Sequence, residues 1–328
     1  SALLWLSGPP AGAWSSDDGA VAVFGGVDEF GFGYSMAVDS SGNMYTTGGF
    51  KGTGDFDPGA GTVNLTSTGS YDVFVSKLDS SGDLVWAKSF GGTSLDSGRS
   101  VAVDSSGNVY TTGWFNSTVD FDPGAGTENL TATGSSDVFV SKLDSSGDLV
   151  WAKSFGGNGS GYVHAESVAV DSSGNVYTTG NFEYTVDFDP GAGTVELTAQ
   201  GFSDIFVLKL NSSGDLVWAK AFAGSGGLLG MQQSKGYSVA VDSSGNVYTT
   251  GYFGLASQHM NRAVDFDPGA ATASLSSGSN TGNVFVSKLD SSGDYVWAKS
   301  FGGTSMKRAE SVAVDSSGNV YTAGYFKD

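Results

Sequence analysis

One phrase, present in five copies, constrains the fold of this chain more than any other feature. Ser-Val-Ala-Val-Asp-Ser-Ser-Gly-Asn-Val-Tyr-Thr-Thr-Gly recurs with small changes. Its first aspartate occurs at spacings of 65, 67, 71 and 73 residues, as Asp39, Asp104, Asp171, Asp242 and Asp315. Self-similarity at a nearly fixed period indicates a structure made by stacking one supersecondary unit. We therefore expect residues 1–328 to form one domain of tandem repeats.

Each repeat predicts two β-hairpins. In the second copy, runs of alternating β-branched and aromatic residues predict strands a to d over Ser100–Val103, Asn108–Phe115, Asp137–Leu143 and Leu149–Phe155. The a–b and c–d turns both read Asp-Ser-Ser-Gly. In such turns the aspartate side chain is expected to accept hydrogen bonds from turn amides, and the glycine to adopt a left-handed conformation. No segment shows helical periodicity.

A four-stranded unit of this length, repeated in tandem, predicts an all-β fold of the β-propeller type, in which each repeat is one blade. The a–b phrase resembles the bacterial β-propeller repeats called SBBP repeats, and more loosely the NHL-type blades, over residues 35–328. This resemblance implies a propeller that is secreted or held at the cell surface. It implies no general set of catalytic residues.

The strand count predicts about five blades, of which the last is composite. There are five a–b hairpins but four c strands, and residues 311–328 supply only the first half of the fifth unit. We expect residues 1–34 to supply the missing strands, with Ala2–Leu6 as strand c and Ser15–Gly26 as the c–d turn and strand d. Two prolines interrupt this join, so these strands either close their own ring or complete the blade of a neighbouring copy. The other predicted blades span 35–99, 100–166, 167–237 and 238–310.

Composition excludes several classes of partner. A net charge of −19 argues against nucleic acid, which binds clustered Lys and Arg. No apolar run approaches the roughly 18 residues needed for membrane insertion. The chain contains no Cys, so disulfides and thiolate metal sites are excluded. It starts at Ser1 without Met, and we expect a processed form or a fragment. Host glycosylation would find acceptor triplets at Asn64, Asn116, Asn129, Asn158 and Asn211.

A second motif, Asp-Phe-Asp-Pro-Gly, raises the question of calcium. Alternate carboxylates beside a glycine turn suit Ca²⁺, which binds six to eight oxygens. The third acidic ligand and distant glutamate of an EF-hand do not follow here, so a Pro-Gly turn braced by Asp side chains is the preferred interpretation. We expect no other cofactor. The candidate calcium ligands are Asp55, Asp57, Asp120, Asp122, Asp187, Asp189, Asp265 and Asp267.

Nothing in the sequence predicts an enzyme. His164 and His259 lie in irregular segments without a Ser–Asp arrangement, so surface positions are expected for both. Carboxylates are too abundant for a glycosidase pair to stand out. The repeated Trp86, Trp151, Trp218 and Trp297 are expected to pack between blades, with a sugar platform as the alternative.

Length variation is confined to the b–c and d–a connections, and loops carried by a rigid scaffold are where recognition usually occurs. We therefore predict an extracellular structural protein that self-associates into surface or filament assemblies. The alternative is a lectin-like or adhesive module that binds glycans or a surface protein through equivalent pockets acting by avidity. The predicted interaction residues are Leu3, Leu4, Trp5, Leu6, Leu228, Leu229, Met231, His259 and Met260.

Overall fold

The computed structural model describes residues 30–157, 159–224, 232–255, 263–277, 281–303, 305 and 307–327. This part of the chain contains 26 β-strands and no helix. The chain divides into two compact units, Ser1–Thr131 with Val140–Ala152 and Ala132–Phe139 with Lys153–Asp328. The single domain and the number of blades therefore stay predictions.

The first unit contains the first repeat and much of the second. The strands of the first repeat are β1 (Phe30–Val38), β2 (Met44–Lys51), β3 (Thr53–Asp55), β4 (Asn64–Thr66), β5 (Asp72–Leu78) and β6 (Leu84–Phe90). The strands of the second repeat are β7 (Ser97–Val103), β8 (Val109–Phe115), β9 (Thr118–Asp120), β10 (Asn129–Thr131), β11 (Gly134–Leu143) and β12 (Leu149–Phe155).

The second unit contains the third, fourth and fifth repeats. The strands of the third repeat are β13 (Gly159–Val170), β14 (Val176–Phe182), β15 (Thr185–Asp187), β16 (Glu196–Thr198), β17 (Asp204–Leu210) and β18 (Leu216–Gly224). Those of the fourth are β19 (Gln233–Val241), β20 (Val247–Leu255), β21 (Ala263–Asp265), β22 (Ser274–Ser276), β23 (Thr281–Leu289) and β24 (Tyr295–Phe301). The fifth contributes β25 (Lys307–Val314) and β26 (Val320–Phe326).

The predicted two-hairpin repeat is confirmed. The first repeat forms a sheet in the order β1-β2-β5-β6, and the fourth in the order β19-β20-β23-β24. Neighbouring strands run antiparallel, as in the pairing of β14 with β17 from Val176↔Leu210 to Phe182↔Asp204. In the second repeat strand a begins at Ser97, three residues before its predicted start, and the other three strands end where predicted. The sheet is a blade of the predicted type.

A third, shorter hairpin between strands b and c was not predicted. β9 pairs with β10 through Asn129↔Asp120, Leu130↔Val119 and Thr131↔Thr118, and β3–β4, β15–β16 and β21–β22 repeat this arrangement. Strands of three residues are too short to establish an alternating pattern, so the sequence indicated only a turn here. The loop that closes each hairpin contains the Asp-Phe-Asp-Pro-Gly motif.

The phenylalanine of that motif anchors the short hairpin in the blade core. Phe56 is 3% exposed, and its ring centroid lies 5.3 Å from that of Phe50 and 5.0 Å from that of Phe74. In the fourth repeat Phe266 packs on Phe253 and Phe285 in the same way. Such rings contribute buried apolar area and favourable tilted contacts, so each blade is built around three phenylalanines.

Consecutive repeats pack their first strands side by side, β1 against β7, β13 against β19 and β19 against β25. A repeated serine bonds each pair. The Ser35 hydroxyl accepts a hydrogen bond from Val101 N at 3.3 Å, and Ser167 and Ser238 accept from Val239 N and Val312 N, both at 3.1 Å. The same serine hydrogen bond thus occurs at all three of these junctions between consecutive repeats.

Candidate functional sites

The repeated aspartate organises the a–b turn. Asp39 Oδ1 accepts from Ser41 N at 2.9 Å and from Asn43 N at 3.0 Å. Its Oδ2 accepts from Asn43 Nδ2 at 2.7 Å and from the Tyr45 hydroxyl at 3.0 Å. Gly42 has φ of 82°, the left-handed conformation expected of it. The predicted turn chemistry is therefore confirmed, and Asn43 and Tyr45 extend it.

These bonds keep the turn carboxylates ionised. Burial raises the pKa of Asp104, but the hydrogen bonds that it accepts from Asn108, Ser106 and Tyr110 outweigh this and lower the pKa below 3.8. The pKa of Asp39, Asp171, Asp242 and Asp315 is lowered in the same way. A carboxylate committed to four donors is poorly suited to transferring a proton, so the turns are structural.

Trp86 and Trp218 join consecutive repeats, as the sequence predicted for all four repeated tryptophans. Trp86 Nε1 donates to the carbonyl oxygen of Ser145 at 3.1 Å, and Trp218 Nε1 donates to that of Ser291 at 3.2 Å. The Trp86 ring lies 6.4 Å from the ring of Tyr45. Lys77 Nζ lies 3.4 Å from the same Ser145 oxygen and 5.3 Å from the Tyr45 ring.

Beside these contacts each unit contains a polar cleft, and the two clefts have equivalent linings. The cleft of the first unit has a volume of about 390 Å³ and that of the second about 370 Å³. Each lies between the a–b turns of consecutive repeats, beside a lysine, a tyrosine and the serine of a c–d turn. The charged and aromatic lining residues are Asp39, Asp104, Tyr45 and Lys77 in one cleft and Asp171, Asp242, Tyr177 and Lys209 in the other. The sequence placed recognition on the variable loops or, as an alternative, in equivalent pockets between blades, without locating such pockets at the repeated turns.

The Asp-Phe-Asp-Pro-Gly carboxylates brace their own turns. Asp55 Oδ1 accepts from Asp57 N at 3.0 Å and from Val63 N at 2.8 Å, while Asp57 Oδ1 accepts from Gly59 N at 2.8 Å. The same bonds occur at Asp120, Asp122, Asp187, Asp189, Asp265 and Asp267. Within the described ranges, no three His, Asp or Glu side chains come together in a group that could hold a metal ion. Calcium binding stays a prediction.

Strand β26 has an open edge within the described structure. It pairs with β25 in a two-stranded sheet, whereas the equivalent β2, β14 and β20 each pair on both sides. Tyr321 and Phe326 on this strand are 58% and 77% exposed, while their equivalents Tyr248 and Phe253 are 1% and 0% exposed. The sequence predicted that residues 1–34 supply the strands beside β26, and the strands named for this, Ala2–Leu6 and Ser15–Gly26, lie outside the described residues.

The predicted interaction residues Leu3, Leu4, Trp5, Leu6, Leu228, Leu229, Met231, His259 and Met260 all lie outside the described residues. His164 is described, and its predicted position in an irregular surface segment is wrong. It lies half-buried in β13, with Nε2 3.1 Å from Ser136 Oγ. Ser136 is 2% exposed, so its hydroxyl is not accessible to a substrate.

Comparison with known proteins agrees with this architecture. Three segments, residues 85–119, 150–181 and 232–252, match the family model of the SBBP β-propeller repeat. The fold and these matches define the chain as a β-propeller repeat protein. The three matched segments are similar to SBBP repeats.

Two relatives share part of the chain. An uncharacterized WD repeat-containing protein of Acanthamoeba polyphaga mimivirus, L264, is 26% identical over 243 residues, which is 65% of this chain and 16% of that protein. The regulatory protein FlaEY of Caulobacter vibrioides is 32% identical over 129 residues, or 38% of this chain and 13% of FlaEY. The matched region thus spans less than a fifth of either relative.

A crystal structure of a protein of unknown function from Bacteroides caccae aligns over 83% of this chain and 82% of its own, with 12% identity and a TM-score of 0.33. Among the described residues, no helix is long and apolar enough to cross a bilayer.

Proposed function

We propose that this β-propeller scaffold is a non-catalytic structural protein that associates with other copies by strand addition to β26. The observation that supports the proposal is the open edge of β26 together with its exposed tyrosine and phenylalanine. An unpaired strand edge is a template for another chain, and apolar side chains beside it add affinity. The strand that we expect there is Ala2–Leu6 of a second copy.

The proposed setting is the cell exterior or the cell surface, where such copies would form a layer or filament. The SBBP resemblance supports this setting. Strand addition also accounts for a run of apolar residues, Leu3-Leu4-Trp5-Leu6, that is separated by two prolines from the rest of its predicted blade. An assembly of this kind needs no catalytic residues.

Cysteine crosslinking tests the proposal on a clean background, because the chain has no Cys. Two single variants, Leu4→Cys and Thr322→Cys, are refolded together and treated with a short bis-maleimide. Strand addition between copies predicts a crosslinked dimer from the mixture that neither variant gives alone. The matched control pairs Leu4→Cys with Thr249→Cys, the equivalent position on β20, which is 1% exposed and covered by β23. No product is expected there.

The double variant Leu4→Cys/Thr322→Cys identifies the source of the strand. A product of monomer mass would show that the chain completes its own sheet, and the assembly proposal would then fail. The proposal fails equally if neither experiment gives a product.

The two equivalent clefts support a second candidate, a module that binds glycans weakly at several identical sites. Serine hydroxyls, a lysine and a tyrosine suit a polyhydroxylated ligand, and two linked sites would gain by avidity. A glycan array probed with the native chain tests this. Filling the clefts with Ser106→Trp and Ser244→Trp should abolish any signal, whereas Ala125→Trp on an exposed hairpin should retain it. Binding that survives the filled clefts would exclude them.

A further inference from the structure

Every described first strand has a β-bulge immediately before its repeated serine, and the bulge residue differs between the repeats. In β13, Ala165 pairs with Gly180 and Ser167 with Thr179, so Glu166 is the extra residue between them. Four other first strands shift register at the same place. The residue after each bulge is always Ser, but the five bulge residues are Tyr34, Arg99, Glu166, Tyr237 and Glu310.

The position two residues before the bulge differs as well. It is occupied by Phe32, Ser97, His164, Lys235 and Arg308. A β-bulge leaves its extra residue outside the hydrogen-bond ladder and redirects its side chain. From the repeated serine onward these strands are nearly identical in every copy, and the two variable positions precede it.

The variable side chains meet across three junctions between consecutive repeats. The Arg99 guanidinium lies 4.5 Å from the ring centroid of Tyr34. Lys235 Nζ lies 2.6 Å from Glu166 Oε1, and the Arg308 guanidinium lies 3.8 Å from the ring centroid of Tyr237. At each junction the bulge of the earlier repeat supplies a carboxylate or an aromatic face, and the first strand of the later repeat supplies a cation.

The Glu166–Lys235 pair is shielded from water, whereas Tyr34 in the first contact is 47% exposed. The side chain of Glu166 is 7% exposed and that of Lys235 is 19% exposed. Arg308 contacts a second acceptor, with Nε 2.8 Å from Glu310 Oε1. Removal of one member of a desolvated ion pair leaves an uncompensated charge, and cation–π contacts also strengthen when desolvated. A mismatched neighbour at this position would therefore be strongly disfavoured.

We infer that the β-bulge is the recognition position of the repeat junction: a glutamate or tyrosine at the bulge selects, as neighbour, a propeller repeat that carries Lys or Arg on its first strand. The serine bond beside the bulge is common to the described junctions and discriminates nothing. The tryptophan contact is likewise repeated. The bulge contact differs in its chemistry from one described junction to the next, and it does not involve the open edge of β26.

A charge exchange at Glu166 and Lys235 tests this inference. Lys235→Glu and Glu166→Lys each place like charges together, and each should lower the thermal midpoint by about 5 °C or more. The double variant Glu166→Lys/Lys235→Glu should recover most of that loss, because the pair is matched again. The control exchanges Lys220 and Asp294, a pair 3.6 Å apart between the same two repeats in which the Asp294 side chain is 70% exposed. All three control variants should stay within about 2 °C of the native chain.

A variant that converts the contact at this junction into that of the next junction tests the inference even if Lys235→Glu and Glu166→Lys do not fold. Glu166→Tyr/Lys235→Arg gives this junction the tyrosine–arginine chemistry of the next one, and it should remain folded and monodisperse at close to the native midpoint. Glu166→Tyr/Lys235→Gln offers the tyrosine no cation and should be less stable. The inference is overturned if the charge exchange is no better than its single reversals, or if the two conversion variants are equally stable.

Discussion

At the scale of single residues, two kinds of aspartate behave oppositely. The turn aspartates accept many hydrogen bonds and have lowered pKa values. Asp96 is fully buried and accepts from Gly92 N at 2.8 Å and from Asn116 N at 3.0 Å. Its burial outweighs these bonds, and with a smaller contribution from the charge of Asp72 it raises the pKa to about 6. Asp96 therefore titrates at mildly acidic pH.

Because the pKa of Asp96 is raised on folding, the free energy of unfolding is expected to decline as pH rises. The folded state holds the Asp96 proton more tightly than the unfolded state, whose pKa is near 3.8. The stabilisation is fully present below about pH 4 and lost as pH rises through about 6, a change of up to about 3 kcal/mol. Denaturant unfolding between about pH 4 and about pH 7 should show this decline, and Asp96→Asn should flatten it.

Asp104→Asn is the control for this measurement, because the lowered pKa of Asp104 places its own titration below that range. If the free energy of unfolding of Asp96→Asn declined with pH as steeply as that of the native chain, Asp96 would not be the group responsible. Some decline should remain in this variant, since burial also raises the pKa of Asp72 and Asp204.

At the scale of single elements, the bulge depends on a glycine in the facing strand. A Cβ at Gly180 would collide with the carbonyl oxygen of His164, and Gly48, Gly251 and Gly324 face the same carbonyl in their repeats. The glycine of Thr-Thr-Gly is thus needed because the backbone of the facing strand lies too close for a Cβ, and not because this position forms a turn. Pattern reasoning identified the strands from their alternation, but it could not locate a bulge, because one extra residue leaves the flanking pattern intact.

Gly180→Ala should therefore remove the bulge or distort β14, at a cost of about 2–4 kcal/mol in the free energy of unfolding. Gly31→Ala is the matched strand control. A Cβ there would meet its nearest neighbour, the Cβ of Phe50, at 3.8 Å, an ordinary contact. Its effect should stay below about 1 kcal/mol in the same chemical denaturation experiment. Equal effects of the two substitutions would show that close approach at the bulge is unimportant.

At the scale of the whole molecule, the features that recur in every repeat are the ones that could be predicted from the sequence. Five copies of one phrase, which contains Asp-Ser-Ser-Gly, were enough to predict the hairpins and the blade. Equivalent pockets between blades were predicted only as an alternative and without a location, because the clefts form between turns about 65 residues apart, which a pattern within one repeat does not relate. The short hairpins and the bulge contacts were missed because three residues, or one, are too few to form a period.

A bulge residue lies outside the hydrogen-bond ladder of the strands, and this affects how the number of repeats in such a chain can increase. Duplication of one gene segment copies the turns, the tryptophan and the serine together, so the new blade can fold at once. Its identity within the array then depends on only two codons, those for the bulge and for the residue two positions earlier. A lineage can therefore lengthen the protein by copying and differentiate each addition with very few later substitutions.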